Sequence, residues 1–98
     1  MDLRRYADGT RKLPKSMALR LMREVQVALM QKAVPMKRMW LDDTLGEGKQ
    51  WCACVAFAGS ERACIFEPRS VIKRGVAQIV DVVEKAYRGE DLQKAPQE

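Results

Sequence analysis

The segment Ala58-Gly59-Ser60-Glu61 lies between two short runs of β-favouring residues, and it constrains the fold more than any other part of the chain. Glycine at the first central position suits the type II′ turn of a tight hairpin. A two-residue loop at Gly59-Ser60 fixes the strand pairing, because register follows from loop length. We therefore predict strands over 50–57 and 62–67, with 57 opposite 62, 55 opposite 64 and 53 opposite 66.

This register sorts the side chains of the hairpin onto two faces, and both faces are apolar. One carries Trp51, Ala53, Val55, Phe57, Cys64 and Phe66, and the other carries Cys52, Cys54, Ala56, Ala63 and Ile65. A sheet with one face in water usually alternates apolar and polar residues. We therefore expect either that the helices take opposite faces or that a second subunit covers one face. The alternative is that small residues line a thinly covered face.

The remaining elements complete an α+β fold of order α-β-β-β-α. Apolar residues at three- and four-residue spacings predict a helix over 14–33, which Pro35 ends. A strand is expected over 36–41, and one continuous helix from 68–70 to 88, with Gly89 just beyond its end. We expect a three-stranded antiparallel sheet packed with two helices. The predicted organisation is a flexible basic arm over 1–12, a single domain over 13–89 and a frayed tail over 90–98.

The net charge of +5 is concentrated in residues 1–40, which hold ten Lys/Arg and three acidic side chains. Such asymmetry favours an anionic partner, and nucleic-acid phosphate is the commonest one. The alternative is a solvated basic surface. The first hypothesis is therefore a small nucleic-acid-binding or regulatory protein, for DNA or RNA, that engages phosphates through its N-terminal arm and first helix. The candidate residues are Arg11, Lys12, Lys15, Arg20, Arg23, Lys37, Arg38, Lys73 and Arg74.

The second hypothesis is a protein-interaction module of the compact inhibitor or adaptor type carried by phages and plasmids. Leu19, Val27 and Met30 lie off the apolar stripe of the first helix, and six methionines favour adaptable contacts. The module would act through this Met-rich helix or through an apolar sheet face, and a homodimer is expected. The candidate interface residues are Leu19, Val27, Met30, Cys52, Cys54 and Ile65.

The composition argues against an enzyme. The chain has no histidine, which removes imidazole acid–base chemistry and histidine metal ligands. Its three cysteines lack the ligand spacing of a closed zinc site. A two-residue hairpin loop separates Cys64 from Cys52 and Cys54, whereas a three-residue loop would put all three on one face. We expect buried structural thiols, no metal and no cofactor. Trp40 is expected to fill the core, the alternative being an exposed platform for bases beside Lys37 and Arg38.

The α-β-β-β-α order is similar to that of double-stranded RNA-binding domains. The similarity is confined to element order, because those domains use a histidine-bearing loop and a run of lysines that opens the second helix. Here the loop over 42–49 is acidic, and only Lys73-Arg74 resembles the basic helix start. No family is assigned on this basis. With no membrane-spanning run, no signal peptide and an odd number of cysteines, a cytoplasmic protein is expected.

Overall fold

A computed structural model of the chain describes residues 11–45 and 47–89. The predicted arm over 1–12 lies mostly outside these residues, and the predicted tail over 90–98 lies wholly outside them. The described part is an α+β fold with three helices and a three-stranded antiparallel sheet. Its elements are α1 (Lys15–Gln31), β1 (Met36–Asp42), a 3-10 turn (Glu47–Lys49), β2 (Cys52–Phe57), β3 (Ala63–Phe66), α2 (Pro68–Arg74) and α3 (Val76–Arg88).

The sheet has the strand order β1-β2-β3, and its hairpin register confirms the prediction from the turn. Val55 lies opposite Cys64 and Ala53 opposite Phe66. Strand β1 pairs with β2 on the other side, with a shift in register between Met36 and Arg38. Beyond this irregularity, β1 is regular to its end. The central strand β2 is therefore hydrogen-bonded on both sides.

All three helices contribute to a core on one face of the sheet, which we call the covered face. Ala53, Val55, Phe57 and Phe66 lie on it and are at most 7% exposed. They pack with Leu21, Met22, Val25 and Leu29 of α1, Val71 of α2, and Ile79, Val80 and Val83 of α3. The helices do not take opposite faces, so the first of the two expected ways of covering both faces is wrong. The other side of the sheet is the open face.

The predicted continuous C-terminal helix is broken at Gly75, and this part of the prediction is wrong. Gly75 has φ 91° and ψ 157°, a conformation that is essentially restricted to glycine. The break separates α2 from α3 and changes the side of α2 that faces inward. Val71 is 5% exposed, whereas its neighbour Ile72 is only half-buried. The helical spacing of the apolar residues continues across the break, which is why the sequence predicted one helix.

Helix α1 ends in a Schellman motif that has alanine where glycine is usual. The N–H of Ala33 donates to the carbonyl of Met30, and the N–H of Val34 donates to that of Leu29. Ala33 has φ 59°, in the left-handed region that disfavours a Cβ. Val34 and Leu29 are both buried, which supplies the apolar contact of the motif. Helix α1 therefore stops at a fixed point before Pro35 and β1.

The helix layer is closed by contacts between α1 and α3 and between α3 and the sheet. Lys32 on α1 lies 3.5 Å from the Glu84 carboxylate on α3, and Arg88 lies 2.9 Å from it. Hydrogen bonding from Arg88, aided by the charge of Lys32, lowers the pKa of Glu84. The rings of Phe57 and Tyr87 lie 5.2 Å apart in a tilted arrangement.

No helix of the described residues is long and apolar enough to cross a bilayer.

Candidate nucleic-acid-binding surface

A groove runs between α1 and the edge strand β1, and the charged residues of its described lining are basic. It encloses about 430 Å³. Its described lining consists of Lys15, Leu19, Met22, Arg23, Gln26, Met39, Trp40 and Leu41. Lys15 and Arg23 are exposed and contribute positive charge, and none of these described residues carries a carboxylate. We call this feature the α1–β1 groove. It has an apolar floor and cations along its helical side, which suits a ligand with both apolar and anionic parts.

Trp40 borders this groove but does not belong to the core, contrary to expectation. It lies opposite Cys54 in the sheet, so its side chain is on the open face, and it is half-buried. The Arg38 guanidinium lies 4.3 Å from the centre of its ring. Arginine stacked on tryptophan gains a cation–π attraction and keeps its N–H donors free. A base could stack on this side of the ring only by displacing Arg38.

Two of the predicted phosphate-binding lysines lie near the ring of Trp51. The Lys12 ammonium lies 4.5 Å from the centre of that ring and the Lys15 ammonium 5.8 Å from it. Lys12 also donates a 2.8 Å hydrogen bond to the Asp43 carboxylate. This hydrogen bond lowers the pKa of Asp43. Lys12 therefore ties the segment before α1 to the loop after β1, while Trp51 packs against the core as expected.

The other basic candidates are spread over separate parts of the surface. Arg20 lies on the α2 side of α1, 3.7 Å from Glu24, where both line a largely apolar cleft with Val71 and Ile72. Lys73 and Arg74 are exposed at the end of α2 and line a shallow pocket with Glu67. Arg11 is exposed ahead of α1, and Lys37 is exposed where the register of β1 shifts. The α1–β1 groove thus contains Lys15 and Arg23. Arg38 does not line the groove, but it stacks on the ring of Trp40, which does.

The outward side chains of the open face form three rows across the strands. The register places Arg38, Ala56 and Ala63 in one row and Trp40, Cys54 and Ile65 in the next. Asp42 and Cys52 share the third row. Glu67 follows the last paired residue of β3 with an extended backbone, so it lies at the end of this row, 3.5 Å from Arg69. The open face is therefore basic at one end, apolar in the middle and acidic at the other end.

The two cysteines of β2 are buried although no described helix lies over them. Cys52 is 2% and Cys54 5% exposed. Burial raises both thiol pKa values, and nearby carboxylates, Glu67 and Asp42 for Cys52 and Asp42 for Cys54, raise them further. Both groups are thus protonated and poorly nucleophilic at neutral pH. Cys64 lies on the covered face, as the register predicted, and the described residues contain no cluster of three acidic or cysteine side chains suited to a metal ion.

The predicted interface residues differ in their exposure. Val27 and Met30 on α1 are 53% and 63% exposed, and Ile65 on the open face is 55% exposed. Leu19 is half-buried in the α1–β1 groove, and Cys52 and Cys54 are shielded by their neighbours in the sheet. Val27 and Met30 thus form an exposed apolar strip on α1, separate from Ile65.

Several residues of these surfaces were not identified from the sequence. The groove also contains Gln26, Met39 and Leu41, and the acidic end of the open face contains Asp42 and Glu67. The alternation of Arg38, Trp40 and Asp42 in β1 carries this information, because alternate residues share a face.

Comparison with models of known protein families, with curated proteins and with solved structures finds no match for the chain.

Proposed function

We propose that the protein binds single-stranded nucleic acid in the α1–β1 groove, with Lys15 and Arg23 holding the phosphates. The observation that carries this proposal is a groove whose described lining combines apolar side chains with charged side chains that are all basic. Unpaired bases offer flat apolar surfaces, whereas those of a duplex are stacked away inside it. The concentration of basic residues in 1–40 adds a favourable long-range field for a polyanion.

Arg23 is the better placed of the two cations to act on a ligand. No ion pair joins Arg23 to another described residue, whereas Arg20, one turn away, lies near Glu24. Lys15 is partly engaged with the ring of Trp51. Because guanidinium groups donate two parallel hydrogen bonds, Arg23 can hold a phosphate in a defined orientation. We expect Arg23 to contribute more to binding than Lys15 or Arg20.

The test is fluorescence anisotropy with labelled single strands of DNA and RNA and a duplex of equal length, over a range of salt. We expect tighter binding to a single strand, weakening steeply as salt rises. Arg23→Gln should weaken binding several-fold and reduce the log–log salt slope by about 0.7, the value for one phosphate on a single strand. Lys85→Gln, the same change of charge at an exposed position of α3, is the matched control. Absence of binding at low salt, or equal effects of the two variants, would contradict the proposal.

A second candidate function is supported by the exposed strip formed by Val27 and Met30. Two large apolar side chains more than half exposed on one helix are typical of a surface that binds a protein partner. The expected result is a single stoichiometric partner whose capture resists nuclease treatment. Met30→Glu should abolish the complex, whereas Val82→Glu at a similarly exposed position of α3 should preserve it. Loss of capture after nuclease treatment would exclude this function.

A further inference from the structure

We infer that the open face of the sheet binds a second copy of this chain, face to face, with Arg38 of each copy opposite the partner copy's acidic row. The apolar middle row supports this inference. Ile65 is 55% exposed, and Trp40 is half-buried with a cation over its ring. Cys54 between them is small and apolar in its protonated state. No described element packs over this row, so within the described part of the chain nothing shields its apolar area from water.

The distribution of charge explains why the occupant is a second copy. When the two stacked sheets are aligned, the two-fold axis that relates them lies between them, either across the strands or along them. With the axis across the strands, each row faces the row at the opposite end, so that Arg38 meets Asp42 of the partner copy. With the axis along the strands, each row faces itself, and Asp42 approaches Glu67 of the partner copy. Only the first arrangement pairs opposite charges, and the observed rows are self-complementary under it.

This arrangement also determines what meets at the centre of the interface. Trp40 faces the partner copy's Trp40, and Ile65 faces its Ile65. Aromatic and aliphatic side chains at the centre of an interface contribute most of its binding energy. A guanidinium stacked on a ring is already ordered, so Arg38 loses little further freedom when it meets a carboxylate. Three rows on three short strands form a small contact by the standard of about 800 Å² per partner. We therefore expect dissociation in the micromolar range or weaker.

The dimer has a consequence for the α1–β1 groove that rests on the proposed function. An axis across the strands keeps both β1 strands on the same side of the assembly. The two grooves, each with its Lys15 and Arg23, then lie side by side along one flank. A strand long enough to reach both grooves would bind more tightly than a short one, because the second contact becomes intramolecular. This consequence fails without the proposed function, whereas the dimer itself does not.

Sedimentation equilibrium of the full chain, from low to high micromolar concentration, tests the dimer without any nucleic acid. We expect a reversible monomer–dimer equilibrium. Ile65→Lys should shift the equilibrium to monomer by at least tenfold in dissociation constant. Val82→Lys, at 52% exposure on α3, should leave it unchanged. A wild-type chain that is monomeric at high micromolar concentration overturns the inference, as do equal effects of the two variants. Loss of nucleic-acid binding in Ile65→Lys without a change in sedimentation also overturns it and assigns the open face to nucleic acid.

A charge-reversal cycle tests the orientation of the two copies. Arg38→Glu alone and Asp42→Arg alone should each weaken the dimer several-fold, because each places like charges opposite one another. Both changes in one chain should restore it, because the pair is re-formed with the charges exchanged. Asp42 accepts hydrogen bonds from the backbone N–H and the hydroxyl of Thr44, so Asp42→Asn serves as a control for the turn. If the dissociation constant of the double variant rises by the product of the two single increases, the proposed orientation is overturned.

Discussion

The two faces of the sheet are both apolar along β2, yet they exclude water in different ways. On the covered face, Val55 and Phe57 are large and lie beneath a layer of helices. On the open face, Cys52 and Cys54 are small and reach 2% and 5% exposure with no described helix above them. Within the described residues, burial of the central strand on both faces therefore does not require two layers of helices, and the larger residues alone show which face carries the core.

The largest effect that separates the two faces is expected from truncation of aromatic and aliphatic side chains. Phe57→Ala should lower the free energy of unfolding by about 3–5 kcal/mol, because it leaves a cavity beneath the helices and removes the contact with Tyr87. Ile65→Ala on the open face should cost about 1 kcal/mol or less in the monomer, because that side chain is mostly in water already. Urea unfolding followed by circular dichroism, at a concentration that keeps the chain monomeric, measures both. Similar losses would show that the open face is covered in the monomer.

The break at Gly75 keeps both C-terminal helices on the covered face, and a second prediction concerns it. No atom lies within 4 Å of a Cβ built at Gly75, so steric contact does not oppose a side chain there. The backbone conformation does oppose it, and Gly75→Ala should destabilise the fold by about 1–3 kcal/mol. Gly48→Ala, at another open position with positive φ, is a comparison outside the helix layer. An increase in both helicity and stability would mean that a continuous helix is compatible with the covered face.

A third, smaller effect on stability is expected at the end of α1, where the chain leaves the helix layer and enters the edge strand β1. Ala33→Gly should stabilise the fold by about 0.5–1 kcal/mol, because the left-handed conformation at the end of α1 then carries no Cβ. The higher chain entropy of glycine in the unfolded state opposes this gain. Thermal unfolding of the two proteins side by side measures the difference. A lower melting temperature for Ala33→Gly would show that the backbone entropy dominates.

The smallest expected effect on stability comes from the thiols of the open face, Cys52 and Cys54. Cys52 and Cys54 should react slowly with a thiol reagent in the folded chain and rapidly in urea, because both are buried and protonated. Their pKa values are raised on folding, so the folded state holds these protons more tightly than the unfolded state does. Stability from this source is complete below the ordinary thiol pKa and is lost as the pH rises from that value through the raised pKa of the folded state. Mass spectrometry after brief labelling identifies the sites. Rapid labelling of Cys52 or Cys54 at neutral pH would contradict the proposed shielding.

The sequence predicted the hairpin well because loop length and glycine placement determine register locally. The two-residue loop at Gly59 predicted Cys64 on the face opposite Cys52 and Cys54, and the observed register agrees with that loop length rather than with three residues. Gly75 was not recognised as a break, because the apolar spacing on either side suits one helix equally well. Trp40 was expected in the core because size alone favours burial. Its position on the open face depends on the register of β1, which shifts between Met36 and Arg38 and has no local signal comparable to the hairpin turn.

The candidate groove was only partly predictable for the same reason. Lys15 and Arg23 follow from the helical spacing of α1, and both were among the predicted phosphate contacts. Which other residues they approach depends on how α1 lies against β1, and this is set by packing over the whole covered face. Lys12 is a different case. Its side chain was predicted to bind phosphate, and in the structure it donates a hydrogen bond to Asp43 and lies over the ring of Trp51.

The strands occur in the sheet in the same order as in the chain, and this has a consequence for the kinetics of folding. Each strand pairs with its neighbour in sequence, so both hairpins close short loops at little cost in chain entropy. Helix α1 precedes the whole sheet and meets α3, which follows it, through Lys32 and Glu84. We expect the hairpins to form early and the docking of α1 on α3 to limit the rate, with folding complete in roughly milliseconds for a mixed fold of this kind. Val25→Ala should then slow refolding in stopped-flow measurements, because it weakens the packing of α1 that limits the rate.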